Sequence, residues 1–136
     1  VDKEQIICDT DVMIDYWNNT QPRHLSTIDL LENQIKLDNV IISAMTKMEL
    51  LMGASNKEHL NRINKRLDRF RIALINDDIS LIALNILENY QLSHGLAIPD
   101  AIIAATALKM NFKLFTYNVK DYKFIERLEL YDINPK

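Results

Sequence analysis

Three acidic residues stand at positions where carboxylates could act together. Asp9 follows the apolar run Ile6-Ile7-Cys8, and Asp100 comes directly after Ile98-Pro99 at the head of an apolar stretch. Glu49 lies in Ala44-Met45-Thr46-Lys47-Met48-Glu49-Leu50-Leu51-Met52, on the helical face shared with Met45 and Met52. Each has an ordinary explanation. Asp9 suits the N-cap of a following helix, Glu49 the solvated edge of a core stripe, and Asp100 the positive end of a helix dipole. Were they to meet, two carboxylates about 4 Å apart would repel by about 4 kcal/mol at an effective dielectric of about 20. A divalent cation is the usual remedy, and an oxygen-only set without Cys or paired His favours Mg2+ or Mn2+ over zinc. Asp11 and Asp15 repeat the negative sign within two turns of Asp9. A fourth contributor is sought in Leu114-Phe115-Thr116-Tyr117-Asn118-Val119-Lys120-Asp121-Tyr122, where Asn118 offers a carbonyl oxygen and Asp121 a charge. Turn chemistry accounts for Asn and Asp there equally well.

For such distant acids to converge, the chain needs an architecture that gathers strand ends. Short β-like runs alternate with longer helical ones, the pattern of parallel strands joined by helical crossovers. Strands are expected at Gln5 to Cys8, Asn39 to Ile42, Ile72 to Ile75, Lys113 to Thr116 and Glu129 to Ile133, the last carrying the weakest pattern. Helices are expected at Asp11 to Trp17, His24 to Gln34, Ala44 to Ala54, Lys57 to Phe70, Asp78 to Ser93 and Asp100 to Met110. Ser43 and Asp77 suit N-caps, and Pro99 suits a first helical turn. Asp9 then sits at the carboxyl end of a strand, where parallel sheets bind ligands. The helix from Asp100 is apolar almost all round, so it should be central and buried.

With 136 residues and 48% hydrophobic composition, the chain suits a single globular domain spanning 1–136. Two Gly and three Pro exclude a collagen-like or linker-rich chain. The longest apolar stretch, Ala101 to Leu108, is far below the roughly 20 residues of a bilayer span, so no membrane association is expected. The opening Val1-Asp2-Lys3-Glu4-Gln5 does not read as a secretory signal, and a cytoplasmic location is the expectation. One cysteine, Cys8, excludes an internal disulfide framework and reads as a small buried residue. The formal charge of −3 gives no global basic field, so any nucleic acid must be held by a local patch or through a metal.

The acids and their surroundings resemble the motifs of the PIN domain, most closely the VapC-like ribonuclease toxins of toxin–antitoxin pairs. The residues that carry the resemblance are Ile7-Cys8-Asp9-Thr10-Asp11-Val12-Met13-Ile14-Asp15, Ile42-Ser43 through Glu49-Leu50, Pro99-Asp100-Ala101-Ile102-Ile103-Ala104-Ala105, and Thr116-Tyr117-Asn118-Val119-Lys120-Asp121-Tyr122. Any one of these is weak, but their order and intervals across nearly the whole chain are specific. The resemblance implies a three-layer α/β/α fold with a central, mainly parallel sheet of about five strands. It implies that Asp9, Glu49 and Asp100 hold one or two Mg2+ or Mn2+ ions, with Thr10 and Thr116 as polar supports and Ser43 as the cap ahead of the helix bearing Glu49. Two departures stand out. Asp11 replaces the common Asn, and Asn118 occupies what is often a fourth acid, leaving open whether Asn118 or Asp121 completes the site. The activity implied is endonucleolytic cleavage of single-stranded or loop RNA. An antitoxin protein and homodimerisation are implied as partners.

An acidic site must still attract a polyanion. Lys57, Arg62, Lys65, Arg66, Arg69 and Arg71 lie on or beside one expected helix, and Arg62, Lys65, Arg66 and Arg69 share a side of it. Such a stripe is either a phosphate-contacting flank or an ordinary solvated face. Tyr16 and Trp17 end the first helix near the expected rim, where packing is the first explanation. Asp9-Thr10-Asp11-Val12 also fits the opening of a haloacid-dehalogenase-type phosphatase, with Asp9 as nucleophile and Asp11 as general acid. That reading leaves Asp100 without a role. A third alternative is a PIN-like module that binds without catalysis.

Overall fold

The computed structural model describes residues 4–134, so the opening residues 1–3 read above and the closing 135–136 lie outside it. Four short strands form the sheet: β1 (Ile6–Cys8), β2 (Val40–Ser43), β3 (Arg71–Ala73) and β4 (Lys113–Phe115). Their order is β3-β2-β1-β4 and all three pairings are parallel, with Ile7 level with Ile41 and Leu114. The helices are α1 (Thr10–Trp17), α2 (His24–Asp29), α3 (Ala44–Met52), α4 (Lys57–Leu67), α5 (Asp77–His94) and α6 (Ile98–Met110).

Period-two alternation along buried strands sorts the core into two halves, which makes three layers. Ile6, Cys8, Val40, Ile42 and Phe115 face one side, where they pack with Val12, Met13, Leu31, Ile63 and Leu67. Ile7, Ile41 and Leu114 face the other, against Ile79, Ala83 and Ile86 of α5 and Ala101, Ile103, Ala104 and Ala107 of α6. Each fully buried Ile or Leu contributes about 1.5–3 kcal/mol. α6 is the central helix expected from its composition. Its alanines allow a close approach to α5, and Thr106, fully buried, satisfies its hydroxyl on the Ile102 carbonyl at 2.8 Å. Gly95 ends α5 at φ 66°, a left-handed conformation that a side chain would strain.

Three expectations need correction. The fifth strand is a single parallel bridge, Leu114 with Leu130, held by Leu114 N–H to the Glu129 carbonyl and Tyr131 N–H to the Leu114 carbonyl. Arg127 at φ 70° turns the chain just before it, and the following Asp132 and Asn134 form a polar turn, so the pairing does not extend. The α5 N-cap is Asn76, whose side chain accepts the Ile79 amide at 2.9 Å, and Asp77 is already helical. The helix expected from His24 to Gln34 changes geometry after Asp29, becoming a π-helical turn over Leu30–Ile35. Most other boundaries moved by only one to three residues, with α6 starting at Ile98.

Candidate active site

β1 delivers Asp9 to the sheet's carboxyl edge, where the Asp9 amide donates to the Phe115 carbonyl of β4 at 2.9 Å. The side chain caps α1 as expected. Its Oδ1 accepts the Thr10 amide at 2.8 Å, and its Oδ2 accepts the Thr116 hydroxyl at 2.8 Å. Only 5% of Asp9 is exposed. Burial, then the charge of Asp11, pushes its pKa up to about 6 against hydrogen bonds from Thr116, Thr10 and Tyr122 that favour the ionised form.

Asp100 reaches the same edge from the first turn of α6, and the Tyr122 hydroxyl donates to its Oδ1 at 3.1 Å. Burial raises this carboxyl to about 6. The Tyr122 bond opposes the rise, while Asp9, Asp121 and Glu49 add to it. Glu49 arrives on α3, which Ser43 caps by accepting the Met45 amide at 3.1 Å. Its Oε1 accepts the Thr10 hydroxyl at 2.6 Å, and the Thr46 hydroxyl stands 3.0 Å from Thr10. Thr10 thus links the Asp9 turn to α3. The three acids expected from sequence are neighbours around one rim.

The supports also gather there. Asn118 N–H donates to Thr116 Oγ1 at 3.0 Å and opens the turn Val119–Asp121, which brings the charge of Asp121 to bear on Asp100. The Asn118 residue itself is exposed. Asp11 Oδ2 accepts the Tyr117 amide at 3.0 Å, while its Oδ1 is buried with no hydrogen-bond partner among the described residues. Burial raises its pKa too. Asp15 is different in kind: it is buried but paired with Arg23 at 2.7 Å.

Sequence reasoning did not single out Tyr122 or Thr46. Tyr122 is 1% exposed, its hydroxyl touches Asp100, and the same hydroxyl lowers the Asp9 pKa. Its ionisation is strongly suppressed by burial and by the two carboxylates, so it stays a hydrogen-bond donor. Its only signal in the chain was its place at the end of the fourth motif.

The cationic stripe on α4 meets the acids at Arg66, which shares a groove with Glu49. Arg62 pairs with Glu58 at 3.8 Å, Arg69 with Asp38 at 3.4 Å, and Lys65 is exposed. Arg66 lies 5.9 Å from the Trp17 ring centroid and lines a groove of about 630 Å³ whose other walls include Glu49, Trp17, Asn18 and His59. Trp17 and Tyr16 pack as expected, Trp17 edge-on to Phe70 and Tyr16 hydrogen-bonded to Glu32.

The residues fit a hard dication by their chemistry: three carboxylates, two of them raised to about 6 by burial and by the charges of neighbouring acids, and one buried carboxylate oxygen of Asp11 left without a partner among the described residues. As placed, no three His, Cys, Asp or Glu side chains among the described residues converge on one ion. Both oxygens of Asp9 are engaged with Thr10 and Thr116.

Comparison with known proteins identifies the family. The PIN domain family matches residues 6–126, and the chain belongs to that family. It is similar to a chain of a toxin–antitoxin complex from Klebsiella pneumoniae, 28% identical over 95% of this chain and 100% of that one, with a TM-score of 0.72. It is likewise similar to a chain of VapBC-1 from nontypeable Haemophilus influenzae, 25% identical over 93% of this chain and 96% of that one, at a TM-score of 0.72. Mycobacterium tuberculosis VapC20, a sarcin-ricin loop cleaving toxin, shares the fold at 18% identity and a TM-score of 0.70, covering 90% of this chain and 98% of that one. No curated protein matches the chain. No helix among the described residues is long and apolar enough to cross a membrane.

Proposed function

We propose that this PIN domain is a metal-dependent endoribonuclease, a hydrolase of RNA phosphodiester bonds acting as the toxin of a toxin–antitoxin pair. One observation carries the reading: Asp9 and Asp100 are both pushed up to about 6 at one rim, and neither forms an ion pair with any basic side chain among the described residues. Burying carboxylates side by side without cations is costly, and a bound divalent ion reverses that cost.

Asp9, Glu49 and Asp100 would hold Mg2+ or Mn2+, with Asn118 or Asp121 completing the set. When bound, such an ion supplies Lewis acidity toward a water and neutralises charge on the scissile phosphate. The chain's own residues do the positioning. Thr116 and the Thr10 amide fix the Asp9 carboxylate, Tyr122 orients Asp100, and Thr10 restrains Glu49. Such outer partners are worth about 10–100-fold in activity or metal affinity.

The phosphatase alternative needs Asp11 free as a general acid, whereas its Oδ2 is bound to the Tyr117 amide and its Oδ1 is buried. The antitoxin partner is supported by similarity to chains solved in toxin–antitoxin complexes. Homodimerisation and a cytoplasmic location complete the proposal. The test is sequencing of cellular RNA ends after induced expression, with the Asp100→Asn protein as control. New ends that appear with the native protein and not with the variant are expected. An unchanged pattern of ends favours the non-catalytic module.

A further inference from the structure

We infer that Arg23 is a phosphate-binding residue, a guanidinium fixed beside the acid rim to receive the backbone of the RNA. This rests on the nuclease reading and extends it to how an acidic site holds a polyanion.

The anchor is buried. Arg23 Nε donates to Oδ2 of Asp15 at 2.7 Å, and Asp15 is 4% exposed. The guanidinium carbon lies 4.0 Å from the Tyr117 ring centroid, a stacking distance for a planar cation over an aromatic face. Tyr117 is itself fixed at both ends, its hydroxyl bonded to Thr27 and its amide to Asp11. It also follows Thr116, which holds Asp9. Arg23 is therefore tied to the segment that shapes the rim, and its positive charge acts on Asp11. Meanwhile its two Nη groups have no hydrogen-bond partner among the described residues, and 53% of the side chain is exposed.

A latch for Asp15 alone would need only the Nε contact. The remaining donors form the planar fork that matches a phosphate, and a guanidinium already held by a buried carboxylate and a ring loses little freedom on binding. Two of the α4 cations are less available. Arg62 and Arg69 face Glu58 and Asp38, both strongly exposed acids.

The test is the binding of a fluorescein-labelled single-stranded RNA of mixed sequence, read by anisotropy in EDTA across a salt series. The proteins are the native chain, Arg23→Gln, Arg23→Lys, and Lys109→Gln as a like-charge control at the far end of α6, where Lys109 pairs with Asp78. Loss of one phosphate contact reduces the slope of log K against log salt by about 0.7. Arg23→Gln is expected to show that reduction with about tenfold weaker binding at low salt. Arg23→Lys should keep the slope and bind more weakly than native, which preserves the test if Arg23→Gln fails to fold. Lys109→Gln should match native. A native slope in Arg23→Gln, native affinity in Arg23→Lys, or an equal loss in Lys109→Gln overturns the inference and leaves Arg23 as a latch. Mg2+-dependent cleavage by the native protein is scored separately. Cleavage with a native slope in Arg23→Gln sinks this inference alone, whereas Arg23-dependent binding without any cleavage sinks the nuclease reading.

Discussion

The two ends of the sheet treat acids in opposite ways. Where the strands begin, Glu4 meets Lys113 at 3.1 Å with both side chains well solvated. Where they end, Asp9, Glu49 and Asp100 gather without an ion pair, held by hydroxyls and an amide, and two of them are raised to about 6. The first arrangement is electrostatically cheap and worth at most about 1 kcal/mol. The second stores repulsion in the folded state. Partner type separates a structural acid from a poised one here: a solvated ammonium at one end, neutral donors in a buried setting at the other. Asp15 makes the same point at close range, since it is as buried as Asp9 but has Arg23.

The contrast can be broken most severely at the rim. Asp9→Asn or Asp100→Asn should lower divalent-dependent RNA cleavage by about 100-fold or more, with a melting temperature equal to or above native, as read by a gel assay and thermal unfolding. Full cleavage by either variant would remove the acids from the chemistry. Tyr122→Phe deletes the donor to Asp100 while keeping the ring in the core, so cleavage should fall about tenfold; an unchanged rate would make that hydroxyl a packing feature.

The stored repulsion has a pH signature in metal-free protein. Asp9 and Asp100 each have folded pKa values near 6 against a usual 3.8, so between those limits the folded state binds more protons than the unfolded chain. Stability from these groups is fully present below about pH 4 and declines as pH rises through about 6, by on the order of 3 kcal/mol from the buried Asp9 and by less from the half-buried Asp100, whose share solvent screening reduces. The native-minus-Asp9→Asn difference in unfolding free energy, measured across pH 4–7 in EDTA, should grow more negative with pH, and a flat difference would contradict the shifted Asp9. At the other end, Glu4→Gln should change stability by less than about 0.5 kcal/mol at any pH in that range.

Much of this contrast was legible in the chain. Ile6-Ile7-Cys8 followed by Asp9 announced a buried strand ending in a cap, and the alanine-rich run after Asp100 announced the central helix. What escaped lay in pairings across long sequence separations. Nothing local to Tyr122 says that its hydroxyl meets Asp100, because a tyrosine between Asp121 and Lys123 is ordinarily explained by packing of its ring. The Arg23–Asp15 pair is hidden in the sequence because Asn18-Asn19-Thr20-Gln21-Pro22 between the partners has the composition of an ordinary loop. The fifth strand, expected on the weakest pattern at Glu129 to Ile133, shrinks to one bridge because a backbone turn at Arg127 and a polar end leave room for no more. Asn76 and Asp77 are both good caps, and the choice between them is made by where the helix starts.

Calorimetric titration of the metal-free protein with Mn2+ at pH 7 tests the central claim most directly. Saturable binding to the native chain that is lost in Asp100→Asn is the expected result. Absence of binding to the native chain, or identical binding by the variant, would contradict it.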